Sequence, residues 1–464
     1  MSEFFLELFS EEIPAGLQKN LREKIFEDFK NLFNKNSIKS KKSFSLSSPN
    51  RVILVFEGLD KQIKISPEEI RGPKTTSPDR ALEGFLRSNK IDKKDYDFLN
   101  ITNCWVKKEG KIVAKNSITK PVDINTNSVI DVSLFEENRL YRPMAGQVYK
   151  MLPVETIRGC PFTCRFCNSP DQMRLYKGVG ANFYRKKKMD LVYKELKYFK
   201  DVEKVQYNYF WADTFLGMSN KEFDEFCEMY KDIKLPFWIQ TRPETVTDYN
   251  MKKLKSVGLH RISFGIEHGN EEFRKKILDR RWKNKDIIEK LKIPKLYDIP
   301  FSANNITGFP TETKKLAFDT IELNREIDAD NANIYAFVPF HGTPLRKMCE
   351  DLGLIKHETI TKCLTAESQL NMPQYPPHEI EEIKKCFSLY VKFPKTRWKE
   401  IERAEKNDKE GNRIYKILKQ EYLEKYMPKP DADPHGGLED FEKLEDPVCS
   451  TPTIRPKSVS DEMR

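Results

Sequence analysis

Along the middle of the chain the apolar positions change period in a regular way. Short apolar or β-branched runs alternate with stretches in which apolar residues return every three or four positions. The runs are Val205–Trp211, Phe237–Thr241, Arg261–Ile266, Phe301–Thr307 and Ile334–Val338, all of strand length. Helices are predicted between them. Ser219-Asn220-Lys221-Glu222 has the form of a capping box, with Phe223, Phe226, Cys227 and Tyr230 following on one face. Met251 and Leu254 lead to a helix stop at Gly258. Repeated strand–helix units predict parallel strands covered by helices. With a strand expected before Cys160, about six strands form a partial (β/α)6 barrel of TIM type, whose active site lies at the carboxyl ends of its strands.

The flanks read differently. Residues 1–100 form a small α+β domain: a strand-like start, a helix around Leu17–Phe33, a basic, Ser-rich connector from Lys35 to Ser48 and a strand at Val52–Phe56. A turn at Gly72-Pro73 and a helix near Ala81–Arg87 follow. Residues 101–150 read as a connecting arm and 151–345 as the barrel. Residues 346–427 turn helical, with Ile380, Ile383, Phe387, Tyr390 and Val391 on one face before Pro394. A second stripe carries Ile414, Ile417, Leu418 and Tyr422. The tail, 428–464, is rich in Pro, Asp, Glu and Ser and reads as disordered, with Cys449 a free thiol.

Composition changes this picture little. The chain has 464 residues, one third of them charged, and a formal charge of +10, but Lys and Glu are interspersed rather than gathered in one arm. Nine cysteines, three clustered and the rest scattered, fit a reducing cytosol better than a disulfide framework. The apolar start Phe4–Phe9 is too short and too acidic at its flanks for a secretory leader, and no membrane span is expected, so the expected location is cytoplasmic.

The chemistry is concentrated in eight residues, Cys160-Pro161-Phe162-Thr163-Cys164-Arg165-Phe166-Cys167. Three thiolates at C-x3-C-x2-C spacing can hold one 4Fe-4S cluster and leave its fourth iron open. A structural zinc site wants four ligands, and no fourth Cys or His lies near this triplet. The spacing, with an aromatic residue before the last cysteine, resembles the signature of the radical S-adenosylmethionine (SAM) superfamily.

The resemblance implies a cluster on Cys160, Cys164 and Cys167, with SAM bound through its amino and carboxylate groups to the open iron. It also implies roles at the strand ends. Asp213, in Tyr209–Phe215, stands where the family holds SAM's ammonium, though the usual glycine- and glutamate-rich form is loosened here. Arg242 would take the SAM carboxylate in a two-pronged contact. Glu267 resembles the residue that bonds ribose or the amino acid end, Gly308 would let backbone approach adenine, and Phe166 would lie against adenine. Singly, Asp213 also reads as a helix cap, Arg242 and Glu267 as salt-bridge partners, Gly308 as a turn and Phe166 as packing. Order and spacing after the cysteine loop argue for the set. Among the histidines near strand ends, His260, His268 and His341, the first choice for a proton donor or substrate contact is His268.

A second resemblance covers about the first hundred residues. FFLELFSEEIPAG, SPNRVILVFEGL, EIRGPK and ALEGFLRS, in that order, are similar to the beginning of the bacterial glycyl-tRNA synthetase beta subunit. That family implies support of tRNA binding, with the aminoacylation site on an alpha subunit. Only its opening is present here, so glycine–tRNA ligase activity is not expected. The arm at 101–150 resembles the lead-in of radical SAM proteins that carry a cobalamin domain, but no D-x-H-x-x-G loop occurs. The nearest string, Asp433-Pro434-His435-Gly436-Gly437-Leu438, has Leu where the last Gly should be. The implied partners are SAM, a substrate the sequence does not identify, and a reductant such as flavodoxin or ferredoxin, with tRNA or a synthetase alpha subunit reached through the N-terminal region. Two other classes remain beside the radical SAM enzyme: a tRNA-binding module and a non-catalytic metal protein.

Overall fold

The computed structural model describes residues 2–9, 13–36, 38–59, 101–108 and 111–427. It divides into two compact units, Met1–Val122 with Thr126–Glu136, and Asp123–Asn125 with Glu137–Arg464. The sequence-predicted turn at Gly72-Pro73, the helix near Ala81–Arg87 and the tail from residue 428 with Cys449 lie outside the described residues.

In the first unit, β1 (Ser2–Phe9), β2 (Lys42–Ser48) and β3 (Arg51–Leu59) form an antiparallel sheet in the order β1-β3-β2. The period of two along β3 buries Val52, Leu54 and Phe56 against Phe33 of α1 (Ala15–Lys35), with Ile25, Phe26 and Phe29 beside it. Strand β2 falls inside the stretch expected to be a connector. Its sequence, KSFSLSS, offers only two apolar residues, and what orders it is the ladder to β3 from Lys42 to Ser48. A two-stranded ribbon, β4 (Trp105–Lys108) and β5 (Lys111–Lys115), and a 3-10 turn at Val132–Leu134 also belong to this unit.

The second unit holds a mixed sheet. β6 (Tyr141–Met144) and β7 (Gln147–Arg158) make a hairpin through Ala145 and Gly146, whose φ angles of 53° and 78° are those of a primed two-residue turn. After the short β8 (Arg185–Lys186) come β9 (Tyr207–Ala212), β10 (Phe237–Thr241), β11 (Leu259–Glu267), β12 (Phe301–Thr307) and β13 (Asn331–Ala336). β7 and β9 to β13 are mutually parallel and neighbours in chain order, the six strands of a partial TIM-type barrel.

Helices occupy the crossovers: α2 (Asn168–Lys177), α3 (Met189–Asp201), α4 (Asn220–Ile233), α5 (Asp248–Ser256), α6 (Glu271–Lys276), α7 (Asn284–Leu296) and α8 (Lys314–Ile327). The capping box at Ser219 forms as expected: Ser219 Oγ accepts from Glu222 N at 3.4 Å, and Glu222 Oε2 accepts from Ser219 N at 2.7 Å. Outward-facing Phe210 packs edge-on to Phe226 of α4 at 5.3 Å, which seats that helix on β9. β10 and β12 have the bounds that the apolar runs predict. β13 begins earlier and ends earlier than Ile334–Val338, because Phe337 and Val338 are apolar for core packing beyond the ladder.

Beyond the barrel stand α9 (Pro344–Asp351), α10 (Pro377–Lys392), α11 (Trp398–Glu405) and α12 (Lys409–Lys425). α10 buries Ile380, Ile383, Phe387, Tyr390 and Val391, the face its spacing predicts. On α12 Leu418 is buried but Ile417 is 50% exposed, a narrower stripe than expected. Among the described residues no helix is long and apolar enough to cross a membrane.

Candidate metal and cofactor site

β7 delivers the chain to the cysteines. Gly159, at φ 90°, turns it there, and a Cβ at that position would stand 3.0 Å from Phe183 O. The loop that follows is pinned on several sides. Thr163 Oγ1 donates to Asp279 Oδ2 at 2.7 Å, Arg165 N to Leu278 O at 3.2 Å and Leu345 N to Arg165 O at 3.2 Å.

The three cysteines are free thiols. Cys160 Sγ lies 3.3 Å from Thr214 Oγ1, Cys164 Sγ accepts from Arg242 Nη1 at 3.3 Å, and Cys167, the N-cap of α2, accepts from Ser169 N at 3.4 Å. Burial pushes the Cys164 thiol above its ordinary value and the Cys167 thiol up to about 12. Thiolate ligation here therefore releases protons. All three line one cavity of about 330 Å³ at the carboxyl ends of the strands. Among the described residues no group of three His, Cys, Asp or Glu side chains is drawn together as a ready site for a single ion. A soft three-thiol set around a space of this size fits a multi-iron cluster with one open corner.

Of the residues singled out in the sequence, the structure brings Phe166, Asp213, Arg242 and Glu267 to the same cavity. Asp213 follows β9 and is exposed to the cavity mouth, while the protein atoms around its carboxyl desolvate it in part and raise it above the usual range. Glu267 ends β11 at φ 70°, in the left-handed region that a non-glycine residue rarely adopts, where the β11–β12 register shifts. Its carboxylate folds back over Gly265, at which any Cβ would collide with Glu267 Oε1. Gly308 is placed otherwise. It follows β12 at φ 79° with its open side toward α10, where a Cβ would stand 2.8 Å from Ile380 Cδ1. The cavity wall from β12 is Asn304, Asn305 and Ile306.

A second cavity of about 460 Å³ shares Phe166, Cys167 and Asp213 with the first and adds Glu155, Arg158 and the 55% exposed Trp211.

Sequence reasoning missed Arg280. Its guanidinium is almost fully buried, donates from Nη1 to Glu267 Oε1 at 2.7 Å and from Nη2 to Gly265 O at 2.9 Å, and lies 3.8 Å from Glu244 Oε2. Glu244 in turn accepts from Arg242 Nε at 2.8 Å and from Arg242 Nη2. Two arginines and two glutamates thus form a charge-balanced group beside Cys164. Nothing in the string LDRRWK distinguishes Arg280 from a solvated charge run.

The histidines take other places. His268 is fully buried, stacked on Phe273 at 4.4 Å; its Nδ1 accepts from Asn270 N at 3.1 Å and its Nε2 is 3.4 Å from Glu312 Oε1. It is not among the cavity's lining residues. His260 Nδ1 pairs with Tyr207 OH at 3.0 Å, and His341 is exposed.

Residues 154–323 match the family described as the radical SAM superfamily, and residues 4–126 the family described as glycyl-tRNA synthetase beta subunit. The chain carries a radical SAM domain. Ahead of it stands a region of glycyl-tRNA synthetase beta-subunit kind. The glycine–tRNA ligase beta subunit of Rickettsia peacockii (strain Rustic) is 38% identical over 103 residues, 22% of this chain and 15% of that protein. The same subunit of Paracoccus denitrificans (strain Pd 1222) is 38% identical over 101 residues, 21% and 14% of the two chains. The chain thus spans about one seventh of the length of these relatives.

Among solved structures, the cobalamin-dependent SAM radical enzyme OxsB aligns with a TM-score of 0.47 at 14% identity, over 73% of this chain and 53% of its own. The radical SAM methyltransferase TsrM from Kitasatospora setae aligns at 0.42 and 14%, over 64% and 57%. Coproporphyrinogen III oxidase (HemN) from Escherichia coli aligns at 0.37 and 13%, over 53% of each chain.

Proposed function

We propose that the chain is a radical SAM enzyme, with Cys160, Cys164 and Cys167 as ligands of a 4Fe-4S cluster and SAM in the cavity beside them. The observation that carries this reading is the convergence of three free thiols with Asp213, Arg242 and Glu267 on one cavity at the carboxyl ends of parallel strands. A cluster held there would supply the one electron that cleavage of the S–C5′ bond of SAM requires, with methionine as the leaving group and the 5′-deoxyadenosyl fragment left to take hydrogen from a substrate.

The chain's own residues bind and orient. Asp213, an exposed carboxylate on the cavity lining, suits SAM's ammonium. Arg242 has five N–H donors, of which three are bound by Glu244 and Cys164, so two remain for the SAM carboxylate. Glu267, fixed by Arg280, presents its second oxygen for a ribose hydroxyl. Phe166, set 6.0 Å from Phe309, offers an apolar face for adenine. α10 packs against β13, whose end contributes Tyr335 and Ala336 to the cavity lining, and so backs this wall. The sequence carries no D-x-H-x-x-G loop for cobalamin. The string nearest to its lower-ligand loop, Asp433–Leu438, departs from the motif at Leu438 and lies outside the described residues.

Anaerobically reconstituted protein should bind about four irons and four sulfides per chain, and SAM should change the electron paramagnetic resonance signal of the reduced cluster. Zinc in place of iron and sulfide would favour a non-catalytic metal protein.

A second reading rests on the N-terminal match: a tRNA-binding role through residues 4–126. It predicts tRNA affinity that falls steeply with salt and survives substitution of the cysteines.

A further inference from the structure

The reach of Arg242 to Cys164 has a chemical consequence of its own. The guanidinium is held on three sides. Nε and Nη2 bond Glu244, Nη1 donates to Cys164 Sγ at 3.3 Å, and the plane lies 3.8 Å over the Phe162 ring. Glu244 is itself only 6% exposed and faces Arg280, whose other side is bound by Glu267 and Gly265 O. A long, flexible side chain is thereby reduced to one position, and that position is set by a buried ion-pair chain whose charges cancel. Such a group is costly to bury, and removing one member leaves its partner unpaired. What it delivers to the sulfur is one directed N–H of a cation that stays charged at all working pH.

We propose that Arg242, held by Glu244 and backed by Arg280, is a positioning residue that raises the reduction potential of the cluster on Cys164. This rests on the cluster reading above. Reduction adds one electron to the cluster and its thiolates, and a hydrogen bond to a ligating sulfur strengthens as that sulfur gains electron density. The reduced form therefore gains more from the Arg242 contact than the oxidised form does. The effect precedes SAM binding, which separates it from any contact Arg242 makes with the SAM carboxylate. It is local to Cys164, because Cys160 faces Thr214 and Cys167 faces the Ser169 amide.

The test is a potentiometric titration of the reconstituted full chain, without SAM, followed by electron paramagnetic resonance, for the wild type and Arg242→Gln. Iron and sulfide are measured in both. The expected result is a full cluster in the variant and, at a fixed potential, a reduced-to-oxidised ratio about tenfold lower, which is about 59 mV for one electron. A fully loaded variant whose ratio stays within about twofold of wild type would overturn the proposal. If Arg242→Gln does not fold or load, wild-type protein grown with 15N-arginine decides the matter: electron–nuclear coupling from a guanidinium nitrogen to the reduced cluster is expected, and its absence overturns the proposal. A wild type that takes up no iron and sulfide overturns the cluster reading itself, an outcome distinct from either of these.

Discussion

Gly308→Ala separates two uses of one glycine. The resemblance of the strand-end motif assigns it to backbone approach to adenine, whereas the structure turns its open side to Ile380 of α10. Two costs follow from the geometry. A φ of 79° is left-handed, which costs an L side chain about 1–2 kcal/mol. The new methyl would stand 2.8 Å from Ile380 Cδ1 in a closed core, and overpacking of that kind costs about 1–3 kcal/mol. The variant should lose about 2–5 kcal/mol in all, within the stability of an ordinary domain. Ile380→Val removes the clashing atom at a cost of about 0.5–1.5 kcal/mol. The double variant should then recover about 1–3 kcal/mol relative to the sum of the singles. Denaturant unfolding followed by tryptophan fluorescence reads this, since Trp211, Trp238, Trp282 and Trp398 all lie in the barrel-bearing unit. SAM affinity of the double variant should equal that of wild type. Additivity of the two substitutions within about 0.5 kcal/mol, together with weakened SAM binding that Ile380→Val does not restore, would refute the packing argument.

Other consequences are as concrete. Gly265→Ala drives a methyl into the Glu267 carboxylate; SAM binding by calorimetry should weaken about tenfold, about 1.4 kcal/mol, with circular dichroism unchanged. Tyr390→Phe leaves the buried Glu405 with Lys314 alone, which should cost about 1–3 kcal/mol in the same unfolding assay. Ser219→Ala removes the α4 cap, with a loss of about 1 kcal/mol. The box also has an acid dependence. Burial alone would raise Glu222, but bonds from Lys186 and Ser219 outweigh it and hold the carboxyl down to about 2. A depressed carboxyl stabilises the fold above its ordinary value of 4.5 and loses that contribution as pH falls toward 2. The stability gap between wild type and Glu222→Gln should therefore shrink across that window in a pH series of denaturant midpoints.

The barrel was legible because its signals are local. Phe237–Thr241 and Phe301–Thr307 are β-rich runs whose ends coincide with strand ends, and Ser219 with Glu222 fixes a helix start through bonds three residues apart. β2 was not legible, since a Ser-rich strand is held by its neighbour's ladder rather than by a face of its own. The cysteine loop, Asp213, Arg242 and Glu267 could be read from residue type and order. Arg280 could not, because its burial depends on α6 returning the chain beneath Glu267, a tertiary fact without a sequence period. Gly308 was legible in one respect only. Its backbone conformation was foreseeable from glycine in a strand-end turn, but which neighbour required it was decided by a helix some seventy residues later.

The most direct test of the central claim is 5′-deoxyadenosine formation from SAM by the anaerobically reconstituted chain with dithionite, run beside Cys164→Ala. The account predicts product from the wild type and none from the variant, which loses one of three cluster ligands. A wild type with a full cluster and bound SAM that forms no 5′-deoxyadenosine, or equal product from both proteins, would contradict it.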